Sequence, residues 1–263
     1  MSATIALLLC LGTVVLSAEV NKAVEKLVGD DPSWNYVNHG TDWDFLNCSD
    51  TSLWQSPWPL TTDTSFVWSE LGQLSFLTAW QEAQITDYGV TNYTYRMNIT
   101  DGALGTFYAV EPFPASIQIW WEPYQIRFKY PSEHSIDGVS YDMEMQIVMN
   151  DTLQRSVWCK EYKAALTIMF SIGTEDSEFL DWVGTENPTI NLEKVFTKTT
   201  SMTSQMWSYM GTDTEPSCNQ GFCWYFPLPV QSITQETLDK LKAPGVEWNN
   251  RALSLGEEPV YKF

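Results

Sequence analysis

The chain has 263 residues and a mass of 30.1 kDa, which fits one large domain or two small ones. Aromatic residues make up 14% of it and charged residues only 18%, a composition that argues against intrinsic disorder. The formal net charge of -19 excludes electrostatic binding to nucleic acid or to an anionic membrane surface.

The N-terminus carries an apolar run from Ile5 to Leu16, which ends at the small residues Ser17 and Ala18. This run is shorter than the roughly 20 residues that span a bilayer. Its length and its small-residue end are typical of a secretory signal peptide, predicted at residues 1–18. No Lys or Arg precedes the run, so a buried N-terminal helix or strand remains the alternative. We expect no membrane association beyond this leader, and a secreted, extracellular or cell-surface location.

Residues 30–263 show no repeat, low-complexity run or linker, and we predict that they form one domain. Most of its elements are predicted to be strands, because they are rich in β-branched and aromatic residues. The clearest strands read SIQIWWEP, YQIRFKY, YDMEMQIVMN and AALTIMFSI. Two helices are predicted, in SEFLDWVG near Ser177 and in ITQETLDKLK after Ser232.

Period-two alternation gives two of these strands one polar and one apolar face. In YQIRFKY, the polar face carries Gln125, Arg127 and Lys129. In YDMEMQIVM, Glu144 and Gln146 lie on the polar face. If the strands pair with these faces aligned, the side chains form one polar cluster. Charges in such a place must be exposed or paired, because a lone buried charge is costly.

Four cysteines remain once Cys10, which lies within the leader, is set aside. They are Cys48, Cys159, Cys218 and Cys223. An even number of cysteines in a secreted chain indicates disulfides, here two bridges with three possible pairings.

Four N-x-Ser/Thr sequons add candidate glycosylation sites, at Asn92, Asn98, Asn150 and Asn47. The sequon at Asn47 has Cys48 as its middle residue, and a disulfide there would oppose glycosylation. Single sequons occur by chance in a chain of this length, and the four sites support secretion only together with the leader and the cysteines.

Four segments, in order along the chain, resemble the α-type carbonic anhydrases. WNYVNHGTDW and then CSDTSLWQSPWPL are similar to the family's opening, including its QSP element. The family's metal-binding strands are matched by YQIRFKYPSEHSIDGVSYDMEMQIVM. The stretch beside the family's active site is similar to YMGTDTEPSC with Trp224, and its closing segment is similar to WNNRALSL. The resemblance runs from Trp34 to the C-terminus. It implies a mainly β (α+β) fold, with a single domain around a large twisted, mostly antiparallel sheet and a few short helices.

The positions that match the family's three zinc-binding histidines hold Arg127, Lys129 and Gln146. Arg has no acceptor atom and stays protonated, Lys is a cation at neutral pH, and Gln offers only a weak carbonyl oxygen. The chain has two histidines, and His134 matches a structural histidine of the family. A three-histidine site therefore cannot form. We expect no zinc, no other cofactor and no carbonic anhydrase activity.

The resemblance implies that parts of the former site's surroundings are retained, at Gln125, Glu133, Glu144 and Thr214. In the family these positions orient the metal ligands or control access to them. The pocket floor differs, with Asp213 in place of a leucine. We expect Glu133 or Glu144 to neutralise the two cations at the ligand positions. Binding of a small anion by these cations is the alternative.

The resemblance also implies the disulfide pairing. Secreted members of the family join the opening segment to the cysteine that follows the gatekeeping threonine, and these positions match Cys48 and Cys218. Cys159 and Cys223 lie outside the family's usual pattern and are left as the second pair. In an oxidising environment the first bridge would hold the N-terminal segment beside the former active site.

Three functions remain open. The first is a non-catalytic extracellular structural or interaction protein, whose partners are other protein chains or further copies of itself in a homo-oligomer or filament. The 13 Trp and many Tyr and Phe favour this hypothesis, because exposed aromatics are common at interfaces. The second is a secreted pocket protein that binds a small anion or carboxylate. The third is a weak hydrolase of another type, which no Ser–His–Asp or Cys–His pattern supports. We favour the first.

Overall fold

A computed structural model describes residues 34–45, 47–50, 54–62, 66–67, 77–111, 117–196, 206–227, 230–254 and 260–262. The predicted signal peptide, Cys10 and the predicted domain start at residue 30 lie outside these ranges. Within them, no helix combines the length and the apolar character that crossing a bilayer requires.

The described ranges contain 17 strands and three short helices. The strands are β1 (Pro59–Leu60), β2 (Phe66–Val67), β3 (Leu77–Trp80), β4 (Glu82–Gln84), β5 (Asp87–Thr91), β6 (Thr94–Asn98), β7 (Gly105–Glu111), β8 (Ile117–Lys129), β9 (Ser135–Ile136), β10 (Val139–Ser140), β11 (Met143–Asp151), β12 (Lys163–Ile172), β13 (Thr189–Asn191), β14 (Met206–Thr212), β15 (Gln220–Pro227), β16 (Gln231–Ile233) and β17 (Tyr261–Lys262). The helices are two 3-10 helices, Glu178–Trp182 and Leu192–Phe196, and the α-helix α1, Gln235–Leu241.

One sheet of 12 strands dominates the described chain. Its order is β2-β17-β14-β15-β12-β11-β8-β6-β5, with β7 beside β8, β3 beside β7 and β16 beside β12. Most neighbours are antiparallel, and β12 pairs in parallel with β15 and β16, as β17 does with β2. The mainly β class, the single domain and the mostly antiparallel central sheet predicted above are confirmed.

The two predicted helices differ in kind. ITQETLDKLK forms α1, and its N-cap Thr234 accepts a hydrogen bond from Thr237 N at 3.3 Å. SEFLDWVG forms only the five-residue 3-10 helix Glu178–Trp182, because Ser177 makes no capping hydrogen bond and the chain is already extended at Val183. This helix lacks a side-chain cap, and the packing of its buried face, Phe179, Leu180 and Trp182, supports its few backbone hydrogen bonds.

The strands β8 and β11 lie side by side in the middle of the sheet, which meets the condition for the predicted polar cluster. Phe128 and Ile126 on β8 pack with Met145 and Ile147 on β11 in the largest apolar cluster of the described chain. Since residues alternate between the two faces of a strand, this packing directs the intervening polar side chains to the other face.

Two disulfides join distant parts of the chain. Cys48 bonds to Cys218 across 170 residues of sequence, and Cys159 bonds to Cys223 across 64. These are the two pairs expected from the sequence. The first bridge ties the opening segment to the loop after β14, and the second ties the loop before β12 to β15.

Candidate functional site

The antiparallel register of β8 and β11 brings the three zinc-ligand positions together. Arg127 lies opposite Gln146, and Lys129 lies opposite Glu144. Arg127 is 2% exposed, and Lys129 and Gln146 are fully buried. The predicted polar cluster therefore forms, but it lies inside the protein, where each charge needs a partner.

Glu215, in the loop after β14, is the acidic centre of this cluster. Its carboxylate accepts hydrogen bonds from Lys129 Nζ at 2.7 Å and from Arg127 Nη1 at 3.2 Å. Arg96 Nη2, from β6, donates to both carboxylate oxygens at 2.8 Å. Burial alone would raise the pKa of the Glu215 carboxyl, but the three adjacent positive charges outweigh it and hold that pKa well below its usual range.

Arg127 uses every nitrogen of its guanidinium group within the protein. Nη2 donates to Asp213 Oδ1 at 2.6 Å, and Nη1 donates to Glu215. Nε donates to the side-chain oxygen of Gln146. Burial alone would lower the pKa of Arg127, but the charges of Asp213 and Glu215 hold it well above its ordinary value. Arg127 is therefore a permanently charged and fully paired residue.

Lys129 is enclosed by two acids and a phenol. Besides Glu215, its Nζ donates to the Tyr36 hydroxyl and lies 3.6 Å from Glu133 Oε1. The same Nζ lies 4.7 Å from the centroid of the Tyr36 ring, beyond the ring edge that carries the hydroxyl. Burial, and then the charges of Glu215 and Glu133, raise the pKa of Tyr36 well above its ordinary value. The phenol therefore stays protonated.

Gln146 is occupied at both ends of its amide. Its oxygen accepts from Arg127 Nε, and its nitrogen donates to Glu133 Oε2 at 2.9 Å and to Glu144 Oε1 at 2.6 Å. An amide that accepts from a cation and donates to two carboxylates is fixed in orientation. Gln146 thus joins the positive and negative halves of the cluster.

Glu144 positions neighbouring residues of the cluster rather than neutralising the two cations. Its carboxylate accepts from the backbone N of Glu133 and of His134, both at 2.9 Å, and its Oε1 lies 2.9 Å from His134 Nδ1. Burial alone would raise the pKa of Glu144, but the adjacent His134 and these hydrogen bonds lower it. His134 Nε2 in turn lies 2.6 Å from the Tyr209 hydroxyl, which donates to Ser56 Oγ at 3.1 Å.

The two cations are neutralised mainly by residues other than those expected. Glu133 does lie near Lys129, but Glu144 binds His134 and Gln146 rather than either cation. Glu215 and Asp213 take the main role because their loop folds over the polar ends of β8. In the sequence, the two acids of TDTEPSC were the one sign that this loop could neutralise the cations. Arg96, a single Arg in a hairpin, gave no sign that it belongs to the cluster.

Two further positions expected from the resemblance have new surroundings. Gln125 Oε1 accepts from Arg96 Nη1 at 3.0 Å, and Gln125 Nε2 donates to Asn98 Oδ1 at 2.9 Å. Thr214 is fully buried, and its hydroxyl has no hydrogen-bond partner among the described residues. Neither side chain orients a group that could bind a metal.

The residues at the three ligand positions do not fit a zinc ion. Zinc requires lone pairs from imidazole, thiolate or carboxylate groups in a tetrahedral array. Arg127 and Lys129 present only N–H donors, and the one acceptor, the Gln146 oxygen, already binds Arg127. Elsewhere in the described ranges, no group of three or more His, Cys, Asp or Glu is placed to hold a metal ion.

The four sequons lie in different surroundings. Asn98 is exposed at the end of β6, and Asn92 is half-buried in the turn between β5 and β6. Asn150 is half-buried within β11, between Glu122 and Lys163 on the neighbouring strands. Asn47 is half-buried, and its amide donates to Asn219 at 3.1 Å. Glycosylation of these sites remains a prediction.

Comparison with curated proteins gives two kinds of relative. Alpha carbonic anhydrase 4 of Arabidopsis thaliana is 27% identical over 136 residues, which cover 48% of this chain and 48% of that protein. Dioscorin dioA3 of Dioscorea japonica is 27% identical over 126 residues, which cover 45% of this chain and 44% of that protein. The chain thus spans just under half the length of these relatives.

Solved structures extend the similarity over nearly the whole fold. A halotolerant carbonic anhydrase from Dunaliella salina matches with a TM-score of 0.67 at 19% identity, covering 89% of this chain and 99% of that one. Dioscorin in complex with ascorbate matches with a TM-score of 0.66 at 19% identity, covering 88% and 98%. The family model described as eukaryotic-type carbonic anhydrase matches residues 38–255. The chain therefore belongs to the eukaryotic-type carbonic anhydrase family.

Proposed function

We propose that this chain is a non-catalytic member of its family that acts outside the cell as a structural or interaction protein. The observation that carries this proposal is the binding of Arg127 and Lys129, at two of the zinc-ligand positions, by Glu215 and Asp213. Carbonic anhydrase chemistry needs a metal that lowers the pKa of bound water to about 7. Two buried, paired cations supply no ligand for such a metal and repel it.

The extracellular location is supported by the two disulfides, since such bridges persist in oxidising compartments. The predicted leader and the sequons agree with this location. We propose that the partners are other protein chains, further copies of this chain included. Large exposed side chains such as Trp120, 41% exposed, supply apolar surface for these contacts.

Two other functions have weaker support. A pocket for a small anion would need a free cation, but Arg127 and Lys129 are bound by carboxylates from the protein itself. A hydrolase would need a histidine beside a nucleophile. His39 Nδ1 lies near Asn250, and His134 lies between Glu144 and Tyr209, so in the described chain neither contacts a Ser or Cys nucleophile.

Zinc content and CO2 hydration, measured on the same purified sample, test the loss of catalysis. We expect far less than one zinc per chain and no hydration rate above that of buffer. A triple variant, Arg127→His with Lys129→His and Gln146→His, restores the ligand types and serves as the control for zinc loading. One tightly held zinc per wild-type chain, lost on Gln146→Ala, would refute the proposal.

Native mass spectrometry of the secreted protein tests the proposed extracellular location and interaction role. It reports the cleaved leader, glycan mass, disulfides and stoichiometry in one measurement. We expect a mature chain with two intact disulfides in complexes larger than the monomer. A monomer at every concentration, with no co-purifying partner, would argue against the interaction role while leaving the result on zinc untouched.

A further inference from the structure

A second concave site lies beside the opening segment of the chain. Its cavity has a volume of about 300 Å³, which is at the lower end of the range for small-molecule sites. Aromatic and aliphatic side chains line most of it, together with one amide and one carboxylate. The principal lining residues are Asn35, Tyr36, Tyr93, Val246, Glu247 and Trp248.

The indole of Trp248 is fixed in place before any ligand arrives. Its Nε1 donates to the backbone oxygen of Tyr36 at 2.9 Å. Its ring stacks on His39, with 5.3 Å between the ring centroids and an angle of 18° between the planes. A wall held by a hydrogen bond and a stacked ring loses little freedom on binding, which favours affinity.

Tyr93 occupies a backbone position that usually belongs to glycine. Asn92 and Tyr93 form the two-residue turn between the paired residues Thr91 and Thr94, and their φ angles are 49° and 62°. Such turns favour Asn-Gly, because both central residues have positive φ. Strained positions of this kind cluster at ligand-binding sites. Here the strain places an aromatic ring on the cavity wall, and Asn249 Nδ2 holds the turn by donating to Tyr93 O at 3.1 Å.

The charge of the cavity is negative. Glu247 is exposed and has neither a hydrogen bond nor an ion pair to any described residue. The lining contains no Lys, Arg or His. The whole chain carries a formal charge of -19, which raises the local concentration of cations around it. An anionic ligand is therefore disfavoured.

We infer that this cavity binds a small organic cation, an ammonium group carried on an apolar body. Tyr93 and Trp248 line the cavity with aromatic rings, whose faces attract a positive charge through their quadrupoles, and Glu247 would neutralise that charge. The aliphatic side chain of Val246 contacts the apolar body. The cavity shares Tyr36 with the cation cluster at the zinc-ligand positions, where the charge of Lys129 is already paired with Glu215. The test of this site does not depend on the proposed function.

Two probes of the same shape distinguish the contribution of charge to affinity from that of apolar contact. Choline and 3,3-dimethyl-1-butanol differ in having a charged nitrogen or a neutral carbon at the branched centre. Titrations of the full protein, followed by ligand-observed NMR, should show choline binding at least about tenfold more tightly than the alcohol. Equal affinity of the two probes, or no saturable binding of choline, would overturn the inference. Binding of a neutral disaccharide in preference to choline would identify a carbohydrate site instead.

Three variants locate the binding site. Glu247→Gln should weaken choline binding several-fold, whereas Glu193→Gln, a change at another exposed acid, should leave it unchanged. Tyr93→Gly removes the ring at a turn position that suits glycine, so a folded protein with at least about tenfold weaker choline binding is expected. Circular dichroism checks the fold of each variant. Wild-type affinity in both Glu247→Gln and Tyr93→Gly would refute the assignment.

Discussion

Arg96 Nη2 lies 2.8 Å from both carboxylate oxygens of Glu215, and neither residue occupies a zinc-ligand position. The pair joins β6 to the loop after β14, two segments that are 119 residues apart in sequence. The network that replaces the metal is therefore larger than the three substituted positions. Restoring any one histidine would leave the remaining charges without their partners, and we do not expect a single reversion to recover a zinc site.

Removing the charge of Glu215 should destabilise the protein strongly. Glu215→Gln leaves buried Arg and Lys side chains without their main counter-charge, and breaking a buried ion pair costs about 3–5 kcal/mol. Urea unfolding of the disulfide-intact protein measures the change. The exposed Glu193→Gln serves as the control, with an expected change within about 0.5 kcal/mol. A loss below about 1 kcal/mol for Glu215→Gln would show that the network is not a net source of stability.

The same carboxylate should make stability fall at acid pH. Because the pKa of Glu215 is held well below its ordinary value of 4.5, the unfolded chain binds this proton more readily than the folded chain. Its contribution is therefore fully present above pH 4.5 and decreases as the pH falls below that value. The free energy of unfolding, measured between neutral and acid pH, should drop less steeply for Glu215→Gln. Parallel curves for the two proteins would contradict this assignment.

The two disulfides should differ modestly in their contributions. Chain-entropy estimates give about 5 kcal/mol for the 170-residue separation of Cys48 and Cys218, and about 4 kcal/mol for the 64-residue separation of Cys159 and Cys223. Paired Cys→Ser variants of each bridge, compared by urea unfolding, test this order. These figures are upper values, since a residual structure in the unfolded chain reduces them. A larger loss from the shorter loop would show that native packing, rather than chain entropy, sets the contribution.

Replacement of Thr214, unlike the changes above, is not expected to lower the free energy of unfolding. Its buried hydroxyl has no hydrogen-bond partner in the part of the chain that the structure describes, so Thr214→Val removes an unsatisfied polar group at nearly constant shape. We expect the free energy of unfolding to stay constant or to rise by about 1 kcal/mol. Ser56→Ala is the matched control, because Ser56 Oγ accepts from Tyr209 and from Thr212 N at 3.1 Å each. Ser56→Ala should destabilise, and an equal loss in both variants would reveal a partner for Thr214.

The polar and apolar faces of β8 and β11 could be predicted because their side chains alternate, whereas the pairing of the two strands followed from the resemblance. The disulfides followed from the resemblance and from the even number of cysteines. Glu215 and Arg96 could not be found in this way, because their contact depends on where a loop and a hairpin lie in three dimensions. Local patterns define faces of strands, whereas an ion pair between a strand and a distant loop leaves no periodic signal.

The two predicted helices also show what a local sequence pattern cannot predict. Both candidate segments carry helical spacing, but only the one with a working Thr234 cap forms an α-helix. In the other, the Ser177 side chain makes no capping hydrogen bond, although its backbone is extended as that of Thr234 is. Helical spacing alone therefore did not distinguish an α-helix from a 3-10 helix.

The buried cluster has a consequence for how copies of this chain meet. Among the described residues, four Lys or Arg side chains and four carboxylates are buried, so that their formal charges cancel. The formal charge of -19 is therefore carried by the rest of the chain, and two copies repel each other at low ionic strength. Salt shortens the range of this repulsion to about 8 Å at physiological ionic strength. Any self-association should accordingly strengthen as salt is added, the reverse of an assembly held by opposite charges.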